Sequence, residues 1–281
     1  MKRRILLPTD FSKNAQNAIE YAIDLYKVDV CDFYILNIYD VEAYTMELTA
    51  VSEIEKSKQK SIAGLTNIVE RLSIVDDSGH HRFFKVSECG SLIEIMKNLI
   101  DKQDIDIVIM GTKGDTDSRK QIYGSQTVLA MEKIRNCPVL AIPANATFKE
   151  IREIVFPTGY RTHYKKREFQ YLVDIAKNTG AAIRILHVLG MGEQLNEDQL
   201  NKQSLLKDYF EGLEYSFHIV HNIDVQEALN TFIESHAIDM VVFINKKHSF
   251  FSSIFSRRRP MMIELGYYTT IPILALHDFR N

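Results

Sequence analysis

Cysteine is scarce in this sequence: Cys31, Cys89 and Cys137 are the only three in 281 residues. They are far apart and odd in number, which excludes a disulfide framework and the close pairs of a structural metal site. A reducing, cytoplasmic setting is the expectation. Long apolar runs are missing as well, since none approaches the ~20 residues of a membrane-spanning helix. The amino end, Met1-Lys-Arg-Arg-Ile-Leu-Leu-Pro8, reaches Pro8, Thr9 and Asp10 before a signal-like apolar core can form. No excess of one charge exists either. A formal charge of −3 argues against bulk attraction to nucleic acid or to an anionic membrane. There is no G-x4-G-K-[S/T] loop and no Ser-His-Asp or Cys-His set. What remains is a chain with 46% hydrophobic and 25% charged residues, as in soluble globular proteins, and long enough for two domains.

Apolar runs and helical periodicities alternate along the chain. Ile5–Leu7, Phe33–Ile38, Phe83–Val86, Ile107–Met110 and Val139–Ile142 read as strands. Between them, Ala15, Ala18, Ile19, Ala22 and Ile23 share one helical face after a Ser12 N-cap. Ile54 to Leu72 carry a longer helical pattern, and Ser91 with Glu94 spells a capping box before a third helix. Alternation of this kind predicts a parallel sheet with helices on both faces.

The second half repeats the plan. Ile154-Val-Phe-Pro157-Thr158 echoes Leu6-Leu7-Pro8-Thr9, and Ile183–Val188 echoes Phe33–Ile38. Ile238-Asp239 through Phe243 echoes Ile105-Asp106 through Met110, and Ile271-Pro272-Ile-Leu-Ala275 echoes Cys137-Pro138-Val-Leu-Ala141. Four collinear matches point to a duplicated domain. The expected boundaries are 1–145 and 150–281, joined by the short polar stretch after Pro143.

The richest motif follows the fourth strand: Gly111-Thr112-Lys113-Gly114, nine residues, then Gly124-Ser125-Gln126 at the start of a helical pattern. Glycines after a strand and a Ser at a helix start put main-chain N–H groups where a phosphate can be held. Taken singly, Gly111 and Gly114 would equally serve a tight turn. As a set, G-x2-G-x9-G-[S/T] resembles the nucleotide loop of the universal stress protein family. The resemblance spans nearly the whole chain as a tandem pair. It implies an adenine-nucleotide alpha-hydrolase-like fold: two doubly wound five-stranded parallel sheets, each in strand order 3-2-1-4-5. It further implies ATP as ligand, with Mg as the accompanying cation. On this resemblance Pro8, Thr9 and Asp10 lie by the adenosine, and the main chain of Ile38 meets the adenine edge. Met110, Gly111, Thr112, Lys113 and Gly114 cover ribose and phosphates, and Gly124, Ser125 and Gln126 cradle the triphosphate. The resemblance also implies antiparallel pairing of the last strands, Val139–Ile142 with Ile273–Leu276. That makes an intrachain pseudo-dimer, with a homodimer as a further possibility.

The second half departs from this pattern. Gly159 stands opposite Asp10, Ile244 to Lys247 opposite Gly111 to Gly114, and Arg258-Arg259 opposite Gly124-Ser125. The fold is expected to persist there without the triphosphate site. The Lys246-Lys-His and Arg257–Arg259 runs around Ser249–Phe255 read as a solvated loop. His80-His81, and His218 with His221, lack partner ligands at metal spacing and read as surface or strand histidines. No residue is fixed to orient a nucleophile at a γ-phosphate, so binding with at most slow hydrolysis is the functional expectation. A non-catalytic interaction scaffold with a vestigial pocket is the alternative. Neither nucleic acid nor membrane is expected as a partner.

Overall fold

The computed structural model describes residues 2–39, 47–112, 125–245 and 271–277, with 47–52 and 125 described for the backbone. The chain divides into two units, one running to Ala144 and the other from Asn145.

In the first unit β1 (Arg3–Pro8), α1 (Lys13–Leu25), β2 (Cys31–Tyr39), α2 (Glu47–Val75), β3 (His81–Cys89), α3 (Leu92–Gln103), β4 (Ile107–Gly111), α4 (Ser125–Lys133) and β5 (Val139–Ile142) follow one another. The strands lie in the order β3-β2-β1-β4-β5 and every pairing between them is parallel. Ile5, Leu6 and Leu7 are wholly buried, as are Ile107 and Val108. Strands covered by helices on both faces need such unbroken apolar runs. Ser12 caps α1 as the sequence predicts, its hydroxyl accepting from the Ala15 N–H at 3.2 Å. The capping box of α3 is different. Ser91 is the N-cap residue but its side chain makes no capping bond, and Glu94 instead pairs with Lys97 at 2.9 Å. Both lie exposed, so water and a nearby ammonium compete successfully for them.

The second unit contains β6 (Glu153–Pro157), a 3-10 turn (Lys166–Phe169), α5 (Gln170–Thr179), β7 (Ala182–Leu189), α6 (Glu197–Tyr209), β8 (Tyr215–His221), α7 (Val225–Ser235), β9 (Met240–Asn245) and β10 (Ile273–His277). Its strands lie in the order β8-β7-β6-β9-β10, again parallel throughout. Counted from the first strand of each unit, both orders are 3-2-1-4-5. Each unit is thus a doubly wound five-stranded parallel sheet.

A shared clamp ties the first strand to the fourth in both units. Asp106 Oδ2 accepts from the Arg4 N–H at 2.7 Å while the Asp106 N–H donates to the Arg4 carbonyl at 2.8 Å. Asp239 Oδ2 accepts from the N–H groups of Arg152 and Glu153, and its own N–H donates to the Glu153 carbonyl at 2.8 Å. The two aspartates were matched by sequence; the structure gives them one job.

Candidate functional site

The β1–β4 ladder closes early. It holds only Ile5 against Ile107 and Leu6 against Val108. On one side β1 stays paired with β2 as far as Pro8 and Leu36, and on the other β4 stays paired with β5 as far as Gly111 and Ile142. The carboxyl edge of the sheet therefore splits between β1 and β4, where the winding direction reverses. Crevices at such switch points are where open α/β sheets take ligands. The Thr9–Ser12 turn and the Gly111–Thr112 strand end stand on the two sides of the split.

The turn is rigid for local reasons. Thr9 Oγ1 accepts from the Phe11 N–H at 3.0 Å and Asp10 Oδ1 accepts from the Ser12 N–H at 3.0 Å. Phe11 takes a left-handed φ of 67°, and its ring lies against Gly64 of α2, where a Cβ would come within 2.5 Å of it. Asp10 is exposed, and its second carboxylate oxygen makes no bond among the described residues. It orders the turn and keeps that second oxygen exposed.

A residue that the sequence reading passed over shapes the end of β2. Asn37 Nδ2 donates to the Thr9 carbonyl at 2.7 Å, and Asn37 is 6% exposed. In the β1–β2 ladder the Thr9 N–H donates to the Leu36 carbonyl at 2.8 Å. The alternation of a strand then turns the N–H and C=O of Ile38 toward the same side, just past the end of β1. With its carbonyl held by Asn37, Thr9 does not extend the ladder. Among the described residues nothing bonds the main chain of Ile38 on that side, so a donor and an acceptor are presented together. The signal was a lone Asn inside an apolar strand.

On the other side, Gly111 is required for packing rather than for turning. A Cβ there would meet the Asn14 carbonyl oxygen at 2.7 Å and the Asn14 carbonyl carbon at 2.9 Å. Gly111 is not among the residues with positive φ. Gly111 thus serves no left-handed turn, and it lets the start of α1 approach the end of β4. Thr127 Oγ1 donates to the Gly111 carbonyl at 2.7 Å, which fastens the first turn of α4 to that strand end. Thr112 is wholly buried and its N–H donates to the Ile142 carbonyl, while its Oγ1 has no partner among the described residues. Met110 is buried and Gln126 exposed. Lys113, Gly114, Gly124 and the side chain of Ser125 lie outside the described residues.

The second unit keeps the turn and changes the surroundings. Thr158 Oγ1 accepts from the Tyr160 N–H at 3.1 Å, and Tyr160 takes a left-handed φ of 53°. His187 Nδ1 lies 2.6 Å from the Thr158 carbonyl, as Asn37 does from Thr9. A carbonyl only accepts, so the ring proton sits on Nδ1. Burial lowers the pKa of His187 from its ordinary value, although the Thr158 carbonyl opposes that shift. Gly159 brings no carboxylate at the Asp10 position. Tyr160, unlike the exposed Phe11, is wholly buried against the His187 ring, with centroids 5.0 Å apart. Burial pushes the phenols of Tyr160 and Tyr164 up, the latter to about 12. Ile244, opposite Gly111, is buried. The loop before the first helical turn runs from Thr158 to Lys165, longer than Thr9–Ser12.

Known proteins share this architecture. A universal stress protein from Archaeoglobus fulgidus DSM 4304 is similar with TM-score 0.71 and 17% identity, over 98% of this chain and 96% of that one. A putative universal stress protein from Pseudomonas aeruginosa UCBPP-PA14 is similar with TM-score 0.57 and 12% identity, over 98% and 93%. The cytoplasmic domain of a prokaryotic cation chloride cotransporter reaches TM-score 0.51 at 9% identity, over 99% and 96%. At these identities the likeness is one of fold, and the third case shows the fold in a different setting. No curated protein matches the sequence. The model of the universal stress protein family matches residues 1–143, just over half of the 281-residue chain. The chain belongs to the universal stress protein family.

Proposed function

We propose that the first unit binds ATP at the split between β1 and β4 and serves as a nucleotide-responsive regulatory module. The observation that carries this reading is the open main-chain edge of Ile38 beside the Thr9–Asp10 turn. A donor and an acceptor side by side match the amino group and ring nitrogen of adenine. Asp10 supplies an acceptor for a ribose hydroxyl, and the orphaned Thr112 hydroxyl is a buried polar group that a ligand can satisfy. The phosphate end of the site rests on the Gly111–Ser125 spacing. There the N-terminus of α4 and successive main-chain N–H groups favour an anion. Mg would accompany the triphosphate and screen its charge. No group described here is placed to activate water at a γ-phosphate, so the site is proposed to sense or carry ATP, with at most slow turnover.

Cytoplasmic residence is part of the proposal. All three cysteines are free thiols, and among the described residues no helix is long and apolar enough to cross a membrane. Isothermal titration with ATP, ADP, AMP and GTP tests the reading. ATP should bind, and Gly124→Arg should abolish binding in a protein that melts like the parent. A folded parent chain unable to take up ATP would favour the scaffold reading instead.

A further inference from the structure

A cavity of about 420 Å3 opens in the second unit between its outermost strand β8 and helix α7. Its walls include Ile219, Val220, Ile223 and Thr231 together with the imidazoles of His218 and His236. We propose that this cavity is a binding site for an uncharged phenolic compound.

The sequence groups His218 with His221, whereas the fold brings it to His236 at the end of α7, with ring centroids 5.3 Å apart. Phe232 joins the two rings. His236 stacks on it with centroids 3.9 Å apart, and His218 meets it edge-on at 4.9 Å. Among the described residues no third histidine, cysteine or carboxylate completes a metal-ligand set with them.

Hydrogen bonds fix what each ring offers. The Phe232 carbonyl lies 3.3 Å from His236 Nδ1 and only accepts, so Nδ1 carries the ring proton. Ser235 Oγ, 2.9 Å from that nitrogen, accepts from it as well. His236 Nε2 is then a bare acceptor, with no partner among the described residues. His218 Nε2 lies 2.7 Å from Ser216 Oγ, which already accepts from Arg184 at 3.1 Å. The Ser216 proton is left for that nitrogen, so the ring hydrogen of His218 sits on Nδ1. This second N–H is a donor, likewise without a partner among the described residues. Burial favours the neutral ring: it lowers the pKa of His218, with His236 and Arg184 adding to the shift and Glu153 opposing it.

A donor and an acceptor on neighbouring rings suit a hydroxyl group, which both accepts and donates. The walls define the rest of the ligand. No Asp, Glu, Lys or Arg lines the cavity, so an ionised ligand would give up water without meeting an opposite charge. Ile219 is 41% exposed and Val220 and Ile223 are half-buried, which leaves apolar surface open to a ring. A phenol combines that ring with a hydroxyl that donates more strongly than an alcohol's, and aromatic bodies pack well beside imidazoles. The first unit has Val86 at the place of His218 in the sheet, since Leu36 pairs with Val86 as Leu186 pairs with His218. Gln103 stands where His236 does, at the same distance from the helix N-caps Ser91 and Asp224. The imidazole pair thus belongs to the second unit alone.

The test is ligand-observed NMR on the full chain with p-cresol as probe. The comparison is 4-methylanisole, in which a methyl group replaces the donated proton. p-Cresol should bind, and 4-methylanisole at least about tenfold more weakly. His236→Phe keeps a ring on Phe232 and removes the acceptor. It should weaken p-cresol by about tenfold, leave the weak binding of 4-methylanisole unchanged and leave ATP uptake as in the parent. Thr231→Trp, at an exposed α7 position that lines the cavity, should weaken both probes in a protein that melts like the parent. The two probes are compared on the parent chain, so that arm stands even where a variant fails to fold. No p-cresol binding overturns the inference. So does p-cresol binding no tighter than that of 4-methylanisole, or unaffected by His236→Phe in a folded protein.

Discussion

Asn37 donates to the carbonyl of Thr9 at 2.7 Å, so a side chain of β2 fixes the turn that follows β1. A β2 side chain thus takes the Thr9 carbonyl, and among the described residues nothing bonds the main chain of Ile38 on that side. His187 and Thr158 repeat the arrangement at 2.6 Å with an imidazole in place of the amide. The pairing is local in space and distant in sequence.

The imidazole gives the second unit a pH dependence that the amide cannot. His187 has a folded-state pKa below its ordinary 6.5, chiefly through burial, with Arg161 and His221 lowering it further and Glu193 opposing them. As pH falls below about 6.5, the unfolded chain takes up a proton that the folded chain resists. Stability is therefore retained above that pH and lost on acidification. His187→Asn should keep a donor for the Thr158 carbonyl and flatten the profile between about pH 5 and 7. Urea midpoints across that range check it, and identical slopes for parent and variant would count against it. His218, whose pKa is lowered by burial and by His236, keeps its own contribution in both proteins.

Removing the amide itself should be costly. Asn37→Ala leaves the Thr9 carbonyl buried without its partner, a loss of about 1–3 kcal/mol. Denaturant titration measures it, and ATP affinity should fall alongside, because the Thr9 turn and the Ile38 edge are no longer fixed. A variant as stable as the parent would show that water replaces the amide at no cost.

Gly111→Ala should destabilise by about 1–3 kcal/mol, since the new methyl meets the backbone of Asn14 and neither α1 nor β4 can yield cheaply. The corresponding change in the other unit, Ile244→Ala, should destabilise for the opposite reason, by leaving a cavity. Chemical denaturation of both variants distinguishes overpacking from underpacking. A neutral Gly111→Ala would mean that α1 can retreat.

The end strands bear on assembly. β5 and β10 each close one side of their own unit's order with apolar residues, Val139–Ile142 and Ile273–Leu276. Sheet edges of that composition need covering, and an intrachain pseudo-dimer through these strands is the proposed solution. Fragments 1–145 and 150–281 expressed apart should aggregate or reassociate on mixing. Two monodisperse fragments without mutual affinity, by ultracentrifugation, would contradict it.

Much of this was legible beforehand, and the exceptions share a cause. Buried parallel strands announce themselves because both faces must be apolar, so Ile5–Leu7 and Ile107–Met110 were readable from composition. Ser12 was readable because its cap is made within three residues. The Ser91 and Glu94 pattern misled because an exposed side chain chooses among water, a cap and a neighbouring lysine by small margins. The sequence singles out Gly111 as part of a phosphate loop, whereas the structure shows a packing need for it that no local spacing reveals. Asn37 and Thr127 went unnoticed because their partners, Thr9 and Gly111, lie far along the chain. No local spacing encodes such bonds.

The central claim is that the first unit binds ATP and the second does not. The contrast rests on Asp10 against Gly159, Gly111 against Ile244, Gly114 against Lys247 and Gly124 against Arg258. Calorimetric titration of the full chain with ATP and Mg measures it most directly. The account predicts saturation at one ATP per chain, abolished by the Asp10→Ala, Gly124→Arg double variant. A stoichiometry of two, or tight binding that survives in that folded variant, would contradict it.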